Sequence, residues 1–440
     1  MFAGFSEVDF TPSFGIMPGE FEPYFARGCH LPLLASACAF TDGGETVVMV
    51  SCDHLHFPNE DADTIRHNIA KETGLPLRSI LIGATHTHTG PPLSVDCWYS
   101  HGDPLAASVV IKRVVQAAVN AVHNQKEGAT FGIGITEEKR FSFCRDWILK
   151  DGTKRTNPGY GREDLDHPYT TPDYSVNVMR VEQDGKIAAL IVNYANHPDN
   201  HRKEERTKFS PDYPGYMRRE LKRIYGEDVT VLFFNGACGD VNDLDFKNET
   251  DHATYRRPDV CPPEEIGKGL AETVSALVDT ISATESKMTI RAVSSYITVN
   301  HRQITLEEIA WATDVLNRAK EDFSKNASEL ATASVYLTKI AKGIPAMVDI
   351  ECMIWQLGSW AIVALPGEIY TELGRTLKEK SPFENTLVFE LVNGSIGYVI
   401  PDCVRGDGSY EGRFSSGITG YGTIDAITNT SMDVLNQWSK

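Results

Sequence analysis

Hydrophobic positions along the chain come in two rhythms. Some are short, unbroken apolar runs of strand length; others recur at helical spacing over longer stretches. Residues 45–52 (ETVVMVSC), 80–84, 129–135, 175–181, 187–194, 229–234, 288–300 and 386–392 are runs of the first kind and predict strands. The first 57 residues as a whole read as strands and loops. Residues 346–356 and 360–365 predict a hairpin about Leu357 and Gly358. Helical spacing covers 60–73, 105–124, 264–282 and 305–342, the last as a charged helical hairpin on the outside of the molecule. The segment SPDYPGYMRRELKRIYG predicts a helix capped by Ser210 or Asp212 and stopped by Gly226, and another helix of about a dozen residues follows Glu368. Residues 140–174 show neither rhythm and predict a long loop of the kind that lines functional sites. Strands interleaved with helices place the chain in the α/β class, as layered mixed β-sheets flanked by helices. With no repeat, linker or charge block, residues 1–440 are expected to form one domain.

The ends of the apolar runs carry the chemistry. The run 45–52 leads into Asp53, His54 and His56, and the run 80–84 into THTHTGPP with His86 and His88. In extended chain, residues two apart face the same way, so both imidazoles can enter one pocket. A metal floor fits this pattern, and so does a hydrogen-bonded core histidine beside a solvated one. His197 follows the run 187–194, where a ligand and a satisfied core histidine are the two readings. Glu368 follows the run 360–365, either as a ligand or as a charge complementing a helix dipole. Two imidazoles, a carboxylate and an open position form the ligand set of a catalytic zinc centre, which points to a His-based metallohydrolase. Cys238 in NGACGDVND reads as a small buried thiol, and Asp53 and Asp212 as braces of turns rather than ligands of a second cation. Arg145 is read either as a substrate contact or as half of a surface ion pair. Tyr398 looks, on local pattern, like an ordinary half-buried aromatic.

The formal charge of −18 excludes nucleic acid and anionic membrane surfaces as partners, because both select Lys and Arg. No apolar run approaches the roughly 18 residues that span a bilayer, so no membrane insertion is expected. The N-terminus lacks a basic segment followed by an apolar core, and nine scattered cysteines without a CxxC pair fit free thiols; a cytoplasmic protein is expected. The partner is then a small-molecule substrate, with homo-oligomerisation left open.

ATHTHTGP, NYANHP, SPDYPGY, FFNGACGDVN, LPGE and GYVIP occur in an order that resembles the catalytic domain of neutral ceramidases, over about residues 53 to 410. The resemblance implies an α/β catalytic domain with one zinc deep in a pocket, held by His86, His197, Glu368 and Tyr398. It implies a role for His88 beside the ligands, against developing charge or as a proton relay, and a substrate contact for Arg145. Where the family carries a GDxSPN loop, this chain reads Gly239-Asp240-Val241-Asn242-Asp243, so Asn242 stands at the position of the family's proposed serine nucleophile and Asp240 keeps the loop's acid. The length leaves no room for the family's C-terminal β-sandwich, so a short form is expected. These points together predict a zinc-dependent hydrolase that uses metal-activated water on an amide or related acyl bond of a soluble small molecule. Ester or lactone hydrolysis, elimination on a sugar derivative and a non-catalytic binding protein are the alternatives. The same donor set also suits iron, manganese or nickel.

Overall fold

Three sheets, each backed by helices, turn their inner faces onto a common core. The first is ordered Ile80–Ala84, Glu45–Cys52, Leu34–Asp42, Phe2–Asp9, Lys126–Glu127; the second Thr230–Asn235, Lys186–Tyr194, Ser175–Gln183, Thr130–Glu137; the third Ile290–Asn300, Met347–Leu357, Trp360–Ala364, Asn385–Phe389. The computed structural model describes residues 1–13, 15–17, 24–95, 102–201, 203–247, 262–320 and 327–440. Phe40 and Met49 from the first sheet, Phe131 and Phe234 from the second, and Trp355 and Phe389 from the third meet in one buried cluster. The outer faces are covered by Asn59–Thr73 and Pro104–His123, by Asp212–Tyr225 and Pro262–Val278, and by Thr371–Lys380 and Thr423–Trp438. Central strands buried on both faces explain why the sequence shows unbroken apolar runs rather than alternation.

Each sheet contains one parallel pair: Glu45–Cys52 with Ile80–Ala84, Lys186–Tyr194 with Thr230–Asn235, and Trp360–Ala364 with Asn385–Phe389. A parallel pair needs a crossover, and here the crossovers include the helices Asn59–Thr73, Asp212–Tyr225 and Thr371–Lys380. The C-terminal ends of these six strands lead into the segments that bear the candidate ligands. In open α/β sheets such ends are where sites form.

The predicted strands and helices fall where the two rhythms place them, within a few residues at their ends. Two expectations need correction, and one element went unread. Residues 140–174 are not a loop: Asp146–Leu149 pairs with Lys154–Thr156 and Leu165–Pro168, and Phe143–Cys144 pairs with Val241–Asn242. These strands are too short and too polar to show a period. Pro104–His123 is long and apolar enough to cross a bilayer, yet it packs Ala107, Val110, Val114 and Ala118 into the core of the first sheet. Beyond Gly422 the pattern analysis assigns nothing, whereas Thr423–Trp438 is a helix with Ile427 and Leu435 buried.

The helical hairpin forms as Leu306–Ala319 and Ala327–Lys342, the first helix opened by a Thr305–Glu308 capping box; residues 321–326 lie outside the described set. Lys339, on its second helix, lies 5.1 Å from the centre of the Phe414 ring and is pushed down to about 8, by burial first and then by Arg302. A lysine whose folded pKa lies below its unfolded value near 10.4 costs stability when both states are charged, and the cost fades as pH rises between the two values. Lys339→Met is therefore expected to stabilise by roughly 1–2 kcal/mol at pH 7, with the gain shrinking from pH 8 to 10.5. Urea midpoints of both proteins across that range check it; a constant difference would contradict it.

Candidate metal centre

His86 is delivered by the end of Ile80–Ala84, but not in extended chain. The strand stops at Ala84, and His86 sits in the left-handed region with φ 70°. A non-glycine residue pays for that conformation, roughly 1–2 kcal/mol, and holds it only when neighbours fix it. Here its backbone N–H donates to His54 O at 2.9 Å and its Nδ1 lies 2.8 Å from Leu55 O. With Nδ1–H given to that carbonyl, Nε2 presents a lone pair to the pocket. His197, after Lys186–Tyr194, is arranged alike: Nδ1 lies 3.2 Å from Cys238 O, and Nε2 faces inward. The two Nε2 atoms are 3.0 Å apart.

Glu368 arrives on the third sheet's side. It lies in the two-residue strand Glu368–Ile369, paired in parallel with Tyr398–Val399, so Glu368 and Tyr398 stand in register. Two glycines permit this approach. A Cβ on Gly367 would lie 2.7 Å from Gly397 O, and one on Gly397, at φ 72°, would lie 2.4 Å from Ser416 O. Glu368 Oε2 then comes to 3.3 Å from His86 Nε2 and 3.5 Å from His197 Nε2. His88 adds a third imidazole, its Nε2 3.4 Å from His86 Nε2 and its Nδ1 3.9 Å from Asp199 Oδ2.

These separations are informative. Donor atoms bound at 2.0–2.1 Å around a tetrahedral cation lie about 3.3 Å from one another. Lone pairs of two imidazoles and a carboxylate oxygen repel at that distance unless something positive lies among them. Oε2 of Glu368 is buried and makes no hydrogen bond, while it points at both rings. The electrostatics agree. Burial pulls His86 down, but Glu368, reinforced by Glu390, overrides it and raises the imidazole, whereas burial and then His86 act in opposite senses on Glu368 and leave it well below the carboxylate range. His86, His88 and His197 can together hold a metal ion. The donor set thus fits a cation, with the His88 ring beside that of His86.

Other predicted residues have different surroundings. Tyr398 is buried, with its Oη 2.9 Å from Arg145 Nη2. Arg145 is committed to Tyr398, Gly239 O and Glu411, so its guanidinium is occupied rather than open to substrate. Asp240 Oδ1 accepts from the backbone N–H and hydroxyl of Thr371 at 2.9 and 2.7 Å, bracing a helix start. Asn242 Nδ2 donates to Asn157 Oδ1 at 2.9 Å. Asp53 pairs with Arg218, and Asp212 accepts from Asn200 and Tyr213, so both brace turns. Cys238 is a buried thiol; burial first and then Glu390 push it well up, and its Sγ donates to Glu390 Oε1 at 2.9 Å.

Two participants went unread in the sequence. Glu390 takes Cys238 N–H and Ile369 N–H on Oε2, tying the loop of His197's backbone partner to the strand of Glu368. Its signal was available, as the one charge inside the run 386–392. Glu411 lies in the Gly-rich tail of residues 406–422, where no local pattern marks it. A cleft of about 150 Å³ is lined by Phe143, Trp147, Tyr174 and Phe246 together with Thr170, Asp245 and Lys247, and by none of the candidate ligands.

No protein-family model and no curated protein sequence matches the chain. Among solved structures it is similar to neutral ceramidase from Pseudomonas aeruginosa, with TM-score 0.73 and 16% identity, over 100% of this chain and 74% of that one. It is also similar to a ceramidase complexed with C2, with TM-score 0.69 and 15% identity, over 98% of this chain and 74% of that one. The chain therefore has a neutral-ceramidase-like α/β fold, as its sequence motifs led one to expect.

Proposed function

We propose that this protein is a zinc-dependent hydrolase that cleaves an amide or related acyl bond of a small molecule. The observation that carries the reading is the approach of His86 Nε2, His197 Nε2 and Glu368 Oε2 to 3.0–3.5 Å of one another. His86, His197, Glu368 and Tyr398 would hold the cation. Once bound, it would polarise the scissile carbonyl and lower the pKa of water towards neutrality. The remaining work falls to side chains. Burial, opposed by Asp199, leaves His88 lowered to about 4, so its imidazole is neutral at pH 7, a weak base suited to a hydrogen bond with developing charge. It is also 23% exposed, which lets it meet substrate. Asn242, in place of a serine, offers no hydroxyl nucleophile, which favours attack by water.

The proposed substrate is a soluble amide. A net charge of −18 disfavours an anionic lipid surface. The two similar structures are of ceramidases, which supports amide chemistry on this fold. The test is a panel of short N-acyl amines, esters, lactones and sugar derivatives, each with zinc and with chelator. Amide cleavage that disappears with chelator and returns with zinc is expected. Turnover confined to esters or sugars, or none at all, would overturn the proposal.

A further inference from the structure

We infer that Glu411 is a positioning residue for the metal centre: it acts through Arg145 to hold the Tyr398 phenol oxygen in place, although it touches none of the four proposed ligands itself. The inference rests on the metal-centre reading above and adds to it a residue that no motif marks.

Arg145 is 7% exposed, and Glu411 is fully buried. A guanidinium in such a place requires a counter-charge, and a single carboxylate oxygen supplies it: Arg145 Nε donates to Glu411 Oε1 at 2.7 Å, and Nη2 pairs with the same oxygen at 2.6 Å. Contact along that edge fixes the rotation of the guanidinium plane. With the plane fixed, Nη2 lies 2.7 Å from Gly239 O and 2.9 Å from Tyr398 Oη. The rings complete the clamp. The guanidinium lies 5.4 Å from the Tyr398 ring centre and 5.9 Å from that of Tyr410, and these two rings meet edge to face.

Glu411 is in turn held from behind. Its Oε2 lies 3.1 Å from Thr156 Oγ1, a hydroxyl shared with Asp146 Oδ1 at 2.6 Å that also accepts the Tyr410 N–H at 2.9 Å. The chain Thr156–Glu411–Arg145–Tyr398 therefore runs from the three-stranded sheet of residues 146–168 to the metal centre. This gives that sheet and the Gly-rich tail a common purpose. Partners that orient metal ligands typically contribute about 10- to 100-fold in metal affinity.

The test uses the full chain and zinc alone. Zinc affinity is measured by chelator competition for wild type, Glu411→Gln, Tyr398→Phe and the double variant. The phenolate-to-metal charge-transfer band of the copper(II)-loaded proteins is recorded beside it. Glu411→Gln is expected to weaken zinc about 10- to 100-fold and to diminish the band, while Glu411→Asp recovers part of both. In the Tyr398→Phe background Glu411→Gln should cost little more, because its effect passes through that phenol. Unchanged affinity and band in Glu411→Gln, or an equal further loss in the double variant, would overturn the inference and leave the metal centre standing. Wild-type protein that binds no stoichiometric zinc would overturn both. If Glu411→Gln does not fold, Glu411→Asp decides: a several-fold loss with a weaker band supports the inference, and wild-type values refute it.

Discussion

Purified His86→Ala should retain no stoichiometric zinc, and its hydrolytic activity should fall to background. Four-ligand zinc sites bind with about 10–16 kcal/mol, so one ligand of four is worth roughly 3 kcal/mol, or about 100- to 1,000-fold in affinity. The loss is not repaired by neighbours, because His88 would then have to replace a nitrogen that lies 3.0 Å from His197 Nε2 and 3.3 Å from Glu368 Oε2. The same geometry makes zinc affinity pH-dependent. Burial lowers His86, Glu368 and Glu390 more than compensate, and its pKa in the metal-free protein lies above the ordinary imidazole value. A proton thus takes the place of the cation as pH falls. Zinc must displace it, so affinity should rise with pH through and above 6.5, flatten once His86 is neutral, and binding should release protons in the rising range. Elemental analysis of the variant and calorimetry of the wild type in buffers of different ionisation enthalpy check both parts. A His86→Ala protein that still carries one zinc per chain would exclude His86 as a ligand.

Arg218→Leu is expected to cost about 3–5 kcal/mol of stability. Asp53 is fully buried, and its Oδ2 lies 2.6 Å from Arg218 Nη2 while also accepting the Leu34 N–H at 2.8 Å. Burial pushes the Asp53 carboxyl up and Arg218 pulls it back, so loss of the arginine leaves an isolated buried acid. Replacing both partners removes the stranded charge, and Asp53→Leu combined with Arg218→Leu should recover part of the loss. The effect should reach the metal. His54, next to Asp53, supplies the carbonyl that accepts the His86 N–H at 2.9 Å. Urea midpoints at pH 7 and chelator competition are the measurements. An Arg218→Leu protein within 1 kcal/mol of wild type would show that the pair is not a structural brace.

Local pattern identified the regular elements because burial leaves its mark directly on sequence. Strands such as Lys186–Tyr194 and Thr230–Asn235 are covered on both faces, so they must be apolar throughout. The strand ends could be read too, since an imidazole or carboxylate following such a run is conspicuous. The strands of 143–168 could not, because two to four residues define no period and their pairing is set by partners elsewhere in the chain. His86 was placed in extended chain for the same reason: its φ of 70° is imposed by His54 and Leu55, which are distant in sequence.

By itself the sequence determined the α/β class, the order of the longer strands and helices up to residue 422, and the residue types available at each strand end, all consequences of local burial and turn chemistry. Which of those residues meet was decided only by the tertiary structure. Parallel pairing in three sheets brings His86, His197 and Glu368 together, and a pair of glycines sets Tyr398 beside the last of them. The same folding diverts Asp240 and Asn242 to Thr371 and Asn157 and gives Arg145 its partner in Glu411. Convergence of this kind depends on contacts between residues hundreds of positions apart, which no spacing along the chain encodes.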